Sequence, residues 1–204
     1  WDKILQKERM CNDFMTEEDT VMDRKLLSMG TCSWKYDSWR GLVYPEAGSY
    51  NSLQVYSQRY KTVEIDQWFW SLHGPGKLSL PDPNVVRNYL ESVPSSFRFT
   101  IKAPNSITLT HFYTKHPNAP LEVNPDAFSP GLFETFLERI EPLLPQTDSI
   151  MLQFGYLNRK KMTSMRRFFE RLTELVEPFS SRIPIGVEIR NPNYLTSEYF
   201  KHLS

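Results

Sequence analysis

Hydrophobic and polar residues alternate strictly in three short segments of the chain, residues 63–66, 97–102 and 187–190. Successive side chains of a β-strand point to opposite faces, so each segment predicts a strand with one apolar and one polar face. Helical patterns separate these segments, which predicts parallel strands whose apolar faces pack against helices. The polar faces would then converge on a common centre, and we expect the chemistry of the protein there.

The unit of a strand followed by a helix occurs about five times, with predicted strands at residues 26–33, 62–66, 97–102, 149–154 and 183–190. Such a series predicts an α/β domain, built either as an open doubly wound sheet or as a closed (β/α) barrel. Strands with one polar face favour the barrel, because helices cover both faces of an open doubly wound sheet. A complete TIM barrel has eight strands and commonly about 250 residues. We therefore expect a TIM-like (β/α) barrel that is incomplete at its C-terminus.

Several polar residues precede helical patterns and predict where helices begin. Asn51, Asp82, Ser129 and Thr196 stand at candidate N-cap positions, and Pro83 follows Asp82 at a favoured first helical position. The long segment from residue 103 to 128 shows no such pattern. Loops of this length inside a domain are usually functional or disordered.

Composition narrows the class of protein. The chain has 204 residues with 24 basic and 24 acidic side chains, so it lacks the basic excess of a dedicated nucleic-acid binder. This composition is still compatible with a local basic patch. Residues 1–24 are charge-rich, and we interpret them as an extension outside a barrel domain of residues 25–204. Cys11 and Cys32 predict two unpaired thiols in a reduced, cytoplasmic protein. No apolar run approaches the roughly 20 residues of a membrane span, and the start shows no signal-peptide pattern.

A set of short motifs resembles one known family. The motifs occur in order at residues 30–34 (GTCSW), 39–41 (WRG), 44–45 (YP), 62–64 (TVE), 97–99 (FRF), 102–104 (KAP), 152–153 (LQ) and 187–190 (VEIR). Together they resemble the YecE-like family of unknown function, DUF72, from about Leu26 to the end of the chain. The resemblance implies a TIM-barrel-like fold and implies no established activity. Two departures are Gly155, where many relatives have proline, and the lack of the family's last strands.

The active site of a TIM barrel lies at the C-terminal ends of its strands. By that rule we predict four catalytic residues: Glu64, Lys102, Glu188 and Arg190. The same rule and the neighbouring loops predict seven substrate-binding residues: Thr31, Ser33, Trp34, Asp66, Trp68, His111 and Gln153. A structural network of ion pairs, with Glu64 joined to Lys102 or Glu188 to Arg190, is the alternative explanation for these charges.

The charges suggest an anionic ligand. Lys102, Arg190, Lys115 and the basic run at residues 159–161 would all lie near the same mouth and supply charge-assisted donors to a phosphate or carboxylate. A solvated charged surface is the alternative for the basic run. The tryptophans of the first two loops would either stack on bases or sugar rings or form a hydrophobic lid over the barrel.

The sequence contains little that indicates a metal ion or another cofactor. Carboxylates together with His111 would suit Mg²⁺ or Mn²⁺. The sequence has no metal-binding motif, however, so we predict no metal residues and leave the cofactor open. Cys32 is positioned for a nucleophile, but a small buried thiol is the favoured interpretation.

These features support three hypotheses. The first is a hydrolase-like enzyme that acts by acid–base chemistry on an anionic substrate, with Glu64 and Glu188 as acid and base. The second is a non-catalytic nucleic-acid-binding module that uses a basic, aromatic-rimmed mouth. The third is a scaffold that is inert without a missing part.

Overall fold

A five-stranded parallel sheet organises the computed structural model, which describes residues 27–114, 116 and 119–203. Along the sheet the strands are β1 (Gly30–Cys32), β2 (Thr62–Ile65), β5 (Arg98–Lys102), β6 (Thr147–Phe154) and β7 (Ile185–Ile189). Every neighbouring pair is parallel, which confirms the predicted strand direction. The strands follow one another in chain order without a reversal. Within the described residues β1 and β7 do not pair with each other, so the sheet is open there.

Six α-helices accompany the sheet in the described residues. They are α1 (Ser52–Ser57), α2 (Pro83–Glu91), α3 (Asn105–Thr108), α4 (Pro130–Arg139), α5 (Met165–Val176) and α6 (Ser197–Leu203). The predicted N-caps of the first, second and fourth are confirmed, since Asn51, Asp82 and Ser129 each accept a hydrogen bond from a backbone N–H of the first turn. Thr196 accepts from the backbone N–H of Tyr199 at the start of α6. None of the described helices has the length and hydropathy of a membrane span.

The two faces of the sheet differ in composition, as the alternation predicts. On one face the side chains are almost completely buried in a core that includes residues of the helices: Val63, Ile65, Phe99, Ile101, Ile150 and Leu152. We call the other the open face. It carries side chains that are half-buried or exposed: Cys32, Glu64, Thr100, Lys102, Ser149 and Met151. The helices therefore cover one face, and the polar face stays accessible in the described part of the chain.

Two elements were not predicted. Residues 72–78 form an antiparallel hairpin of β3 (Leu72–Gly74) and β4 (Lys77–Leu78). The predicted long loop contains the buried helix α3, and an isolated bridge joins His111 to Val123. Asn124 holds this segment together, because its amide donates to the carbonyl oxygens of Ser106 and Leu109 at 2.8 and 2.7 Å. The residues 1–24, with Cys11, and Lys115 lie outside the described residues.

Candidate functional site

A carboxylate, an ammonium group and a thiol meet on the open face, at the ends of three neighbouring strands. Lys102 Nζ lies 2.8 Å from Glu64 Oε1, and Cys32 Sγ donates to the same oxygen at 3.0 Å. Asp66 Oδ2 accepts from Cys32 Sγ at 3.5 Å. The strand register produces this contact, because Cys32 pairs with Glu64 and Lys102 lies two residues beyond Thr100, the partner of Glu64. The first ion pair named by the alternative explanation of these charges is therefore present.

The thiol of Cys32 is held in its protonated form. Burial, the hydrogen bond to Glu64 and the charges of Glu64 and Asp66 together raise the pKa of Cys32 to about 12, while Lys102 acts in the opposite direction. A thiolate is the reactive form of cysteine. The arrangement thus disfavours a nucleophilic Cys32. The interpretation of a small buried thiol is nevertheless wrong, because the residue is exposed on the open face and the burial of its thiol is only partial.

Lys102 is charged at neutral pH. Burial lowers the pKa of Lys102, but the hydrogen bond and charge of Glu64 outweigh it, with smaller contributions from Cys32 and Glu188, and the pKa is raised above its usual value. The ammonium group also lies 5.8 Å from the ring centroid of Phe69. Lys102 therefore presents a stable positive charge beside Glu64.

A second ion pair follows β7. Arg190 Nε lies 3.6 Å from Glu188 Oε1, and 63% of the arginine side chain and 43% of the glutamate side chain are exposed. Gln153 on β6 pairs with Glu188 in the strand register, and its side chain is buried. The charge of Glu188 acts on Lys102, so the two ion pairs belong to one electrostatic environment.

A cavity of about 280 Å³ lies at the C-terminal ends of these strands. Asp66, Lys102, Gln153 and Arg190 line it together with Asn105 and three aromatic residues, Phe69, Trp70 and Tyr113. It thus brings together four of the eleven predicted site residues. Glu64 and Glu188 do not line the cavity, but each forms an ion pair with a residue that does, Lys102 and Arg190 respectively. The two cations and the two side-chain amides can donate hydrogen bonds to an oxyanion. The carboxylate can accept a hydrogen bond from a polar group next to that oxyanion.

The predicted residues of the first strand do not join this cavity. Thr31 is directed to the helix side, where its hydroxyl and backbone N–H donate to the Tyr56 hydroxyl at 3.0 and 2.9 Å. Ser33 adopts a positive φ of 69°, and its backbone N–H donates to the Glu64 carbonyl. This turn sends Trp34 into the core against Tyr89, with ring centroids 4.9 Å apart.

The aromatic residues after the first two strands divide between the two interpretations. Trp34 and Trp68 are buried, as expected of a hydrophobic lid, and both contact Tyr89. Trp70 is 64% exposed and lines the cavity, as does the exposed Tyr113. Only the second group is available for stacking on a ligand.

His111 lies in a different cavity, beside the start of α5. Its Nδ1 atom is 3.0 Å from Thr110 Oγ1, and Lys161 and Arg167 line the same space. Burial and the charge of Lys161 both lower the pKa of His111. The metal-ligand set of His111 with the strand carboxylates is therefore not assembled. Within the described residues no group of three or more His, Cys, Asp or Glu side chains is arranged to hold a metal ion.

The basic residues predicted to surround one mouth are also dispersed. Lys102 and Arg190 share the cavity, whereas Lys161 lines the space beside His111. Arg159 and Lys160 are exposed in the turn before α5. Lys115 lies outside the described residues. For Lys161 the prediction is wrong, because this residue lines the separate space that also contains His111 and Asn124.

Sequence reasoning missed Asn105, Thr108 and Tyr113, all of which line the cavity. Asn105 comes directly after the motif at residues 102–104, so its position just beyond a strand end was a usable signal. Tyr113 carried no such signal, because it depends on how the long loop folds.

The family model described as "Protein of unknown function DUF72" matches residues 28–204. The chain belongs to the DUF72 family. The described α/β fold resembles two crystal structures of a DUF72 family protein from Enterococcus faecalis, at 3.10 and 2.52 Å resolution. The first is 17% identical with a TM-score of 0.53, and the second is 16% identical with a TM-score of 0.50.

The match covers 86% of this chain and 55% or 56% of the Enterococcus chains, so this chain spans about half the length of those DUF72 structures. At this identity the likeness concerns the fold alone. No match was found among curated proteins. The family model alone assigns the chain to its family, and the description of that family names no activity.

Proposed function

We propose that this DUF72 chain binds a small anionic molecule in the cavity at the strand ends and exchanges protons with it. The observation that carries the proposal is that Lys102 and Arg190 line one cavity with the buried amide of Gln153. Cations in a partly enclosed space attract an oxyanion more strongly than cations on an open surface. A carboxylate or phosphate group would therefore lie between these two side chains.

Proton exchange is assigned to Glu64 and Glu188. Glu64 already accepts a hydrogen bond from Lys102 at 2.8 Å, so the ammonium group can stabilise negative charge that develops beside this carboxylate. Glu188, on the far side, acts on the same ammonium through its charge. Neither carboxylate lines the cavity itself, so each would accept or return a proton where the bound molecule extends past Lys102 or Arg190, while Gln153 would fix the orientation of that molecule.

We infer that the sheet belongs to a (β/α) barrel formed by residues 25–204 with further strands. Three observations support this architecture: in the described part of the chain the strand order does not reverse, the helices found there cover one face, and the chain spans about 55% of a DUF72 structure with a similar fold. A doubly wound sheet would reverse its strand order. Amide hydrogen exchange tests the need for further strands. We expect rapid exchange at the outer edges of both β1 and β7 in the 204-residue chain, because no described strand pairs with them, and slow exchange at both edges would contradict this inference.

Anion binding is tested by titration calorimetry with inorganic phosphate and benzoate. We expect saturable binding that Lys102→Met weakens at least about tenfold, because the buried charge partner of the anion is lost. Glu64→Gln should keep binding and abolish any turnover found by substrate screening. If the wild-type protein binds neither anion, or if Lys102→Met binds both equally well, the proposal fails.

Nucleic-acid binding is the second candidate, and the exposed rings of Trp70 and Tyr113 favour it. Exposed aromatic residues next to an arginine suit single-stranded nucleic acid. Fluorescence anisotropy with a labelled oligonucleotide at several salt concentrations tests it. Affinity that falls steeply with salt would support the candidate, and weak binding without salt dependence would remove it.

A further inference from the structure

Asn105 is held in a fixed orientation at the start of α3. Its Oδ1 atom accepts three hydrogen bonds, from the backbone N–H groups of Ser71 and Leu72 at 3.1 and 3.0 Å and from the Ser71 hydroxyl at 3.2 Å. Backbone N–H groups only donate, so these contacts determine which end of the amide is the oxygen. The backbone N–H of Asn105 in turn donates to the Phe69 carbonyl at 2.7 Å.

The other end of this amide has no partner. Asn105 is 1% exposed, and its Nδ2 atom finds no acceptor among the described residues. The atom is also out of reach of bulk water, so solvent does not supply the missing hydrogen bond. Buried donors are nearly always paired in folded proteins, and an unpaired one calls for a specific explanation. Because Oδ1 is held by three donors, the amide cannot rotate to satisfy Nδ2 without losing them.

The position of Asn105 supplies that explanation. It lines the same cavity as Lys102, Gln153 and Arg190, whereas Gln146, the other described residue with an unpaired buried polar atom, does not. An ammonium, a guanidinium and an unpaired amide N–H are all donors. Asp66 also lines the cavity and only accepts, so the matching occupant presents at least two acceptor oxygens to the three donors and keeps them away from this carboxylate.

The outer part of the cavity has a different character. Trp70 and Tyr113 both line it and expose 64% and 67% of their surface. Large exposed rings beside a cationic cavity suit a planar ring, which can stack on them while its charged substituent reaches inward. The cavity thus combines a donor-rich interior with an aromatic rim.

We propose that Asn105 Nδ2 donates a hydrogen bond to an oxyanion of the ligand, and that this oxyanion is attached to a planar ring held by Trp70 and Tyr113. An aromatic carboxylate and a ring-bearing phosphate share this chemistry. Ligand binding includes a small movement of the cavity wall that uncovers Nδ2. This inference rests on the proposed function, because it specifies the molecule that Lys102 and Arg190 bind.

The first test compares phenyl phosphate, benzoate and inorganic phosphate on the full chain. We expect Asn105→Asp to weaken phenyl phosphate binding at least about tenfold, since it replaces the donor with a carboxylate that repels the oxyanion. The aspartate retains an oxygen for Ser71 and Leu72, so the local fold is preserved. Gln146→Glu is the matched control, an amide-to-acid change outside the cavity, and should bind like wild type.

The outcomes separate this inference from the proposed function. Unchanged affinity in Asn105→Asp together with lost binding in Lys102→Met would overturn the role of Asn105 and leave anion binding intact. Absence of binding of all three anions to wild type would remove both. Trp70→Ala should abolish the preference for phenyl phosphate over inorganic phosphate, and a preference that survives Trp70→Ala would overturn the role of the ring.

A second measurement needs no variant. In a ¹⁵N-labelled wild-type protein, the side-chain amide signals of Asn105 should shift when phenyl phosphate saturates the cavity, while those of Gln146 stay in place. A saturated protein whose Asn105 amide signals do not move would overturn the proposal even if Asn105→Asp failed to fold. Separate titrations with benzoate and phenyl phosphate would show which of the two oxyanions is preferred.

Discussion

The two faces of the parallel sheet place adjacent residues of one strand in opposite environments. On β5, Phe99 and Ile101 are fully buried in the core formed with the helices, whereas Thr100 and Lys102 face the open side and are only half-buried. The buried side chains named on the first face are apolar, whereas the second face carries the two ion pairs and the thiol. The comparison teaches that residues that stabilise the core and residues that carry the charged groups alternate along a single strand, as the period-2 pattern requires.

Truncation on the covered face should have the largest effect. Phe99→Ala removes a fully buried ring and leaves a cavity, so we expect the free energy of unfolding to fall by about 3–5 kcal/mol. Thr100→Ala, one residue away on the open face, should cost less than about 1 kcal/mol. Urea denaturation of both variants measures the difference. Equal losses would mean that the open face is as tightly packed as the covered one.

The two ion pairs allow a sharper comparison within the open face. Lys102→Met leaves Glu64 without the cation at 2.8 Å, and the pair is largely shielded, with side-chain exposures of 13% and 26%. We expect a loss of about 1–2 kcal/mol, below the cost of breaking a fully buried pair. Arg190→Met breaks a longer and more exposed contact and should cost less than about 0.5 kcal/mol.

A double variant provides the control for this prediction. Glu64→Gln removes the carboxylate that Lys102→Met leaves unpaired, so the double variant should be less destabilised than the sum of the two single variants. Strict additivity in the same urea experiment would show that the two side chains do not interact, despite the short distance.

The fold was largely predictable because alternation and capping are local. The parallel strands and the caps at Asn51, Asp82 and Ser129 depend on residues within a few positions of each other. The pairing of Glu64 with Lys102 also followed, since residues at the ends of neighbouring parallel strands meet. The barrel itself stays a prediction, because the described sheet is open at both edges.

The site was less predictable because its composition depends on contacts between distant residues. The positive φ of Ser33 redirects Trp34 into the core, and no hydrophobic pattern encodes that turn. Asn105 depends on Ser71, which lies on the segment after a different strand. The sequence predicts His111 beside the strand carboxylates because its loop directly follows a strand, whereas the hydrogen bonds of Asn124 hold that loop in a different arrangement.

Chemical reactivity of Cys32 tests the electrostatics of the open face. With a pKa of about 12 in place of 9.0, the thiolate fraction at pH 8 falls about a thousandfold. The higher nucleophilicity of a more basic thiolate recovers part of this, so alkylation by iodoacetamide should be at least about tenfold slower than for the unfolded chain. Glu64→Gln should accelerate it. The assay uses a Cys11→Ser background, and rapid alkylation of the folded protein would contradict the raised pKa.

The smallest expected effect concerns His111, in the region separated from the cavity. Burial and the charge of Lys161 lower the pKa of His111, so the folded state favours the neutral ring. The stability from this preference is present above the pKa of the unfolded chain, 6.5, and is lost as the pH falls through the lower pKa of the folded state. Lys161→Met should raise the pKa of His111 in an NMR titration without restoring its usual value, because the larger cause, burial, remains. Lys102→Met is the control and should leave this titration unchanged. A response of His111 to Lys102→Met equal to its response to Lys161→Met would show that the two regions are electrostatically one site, against the separation that the Asn124 loop imposes.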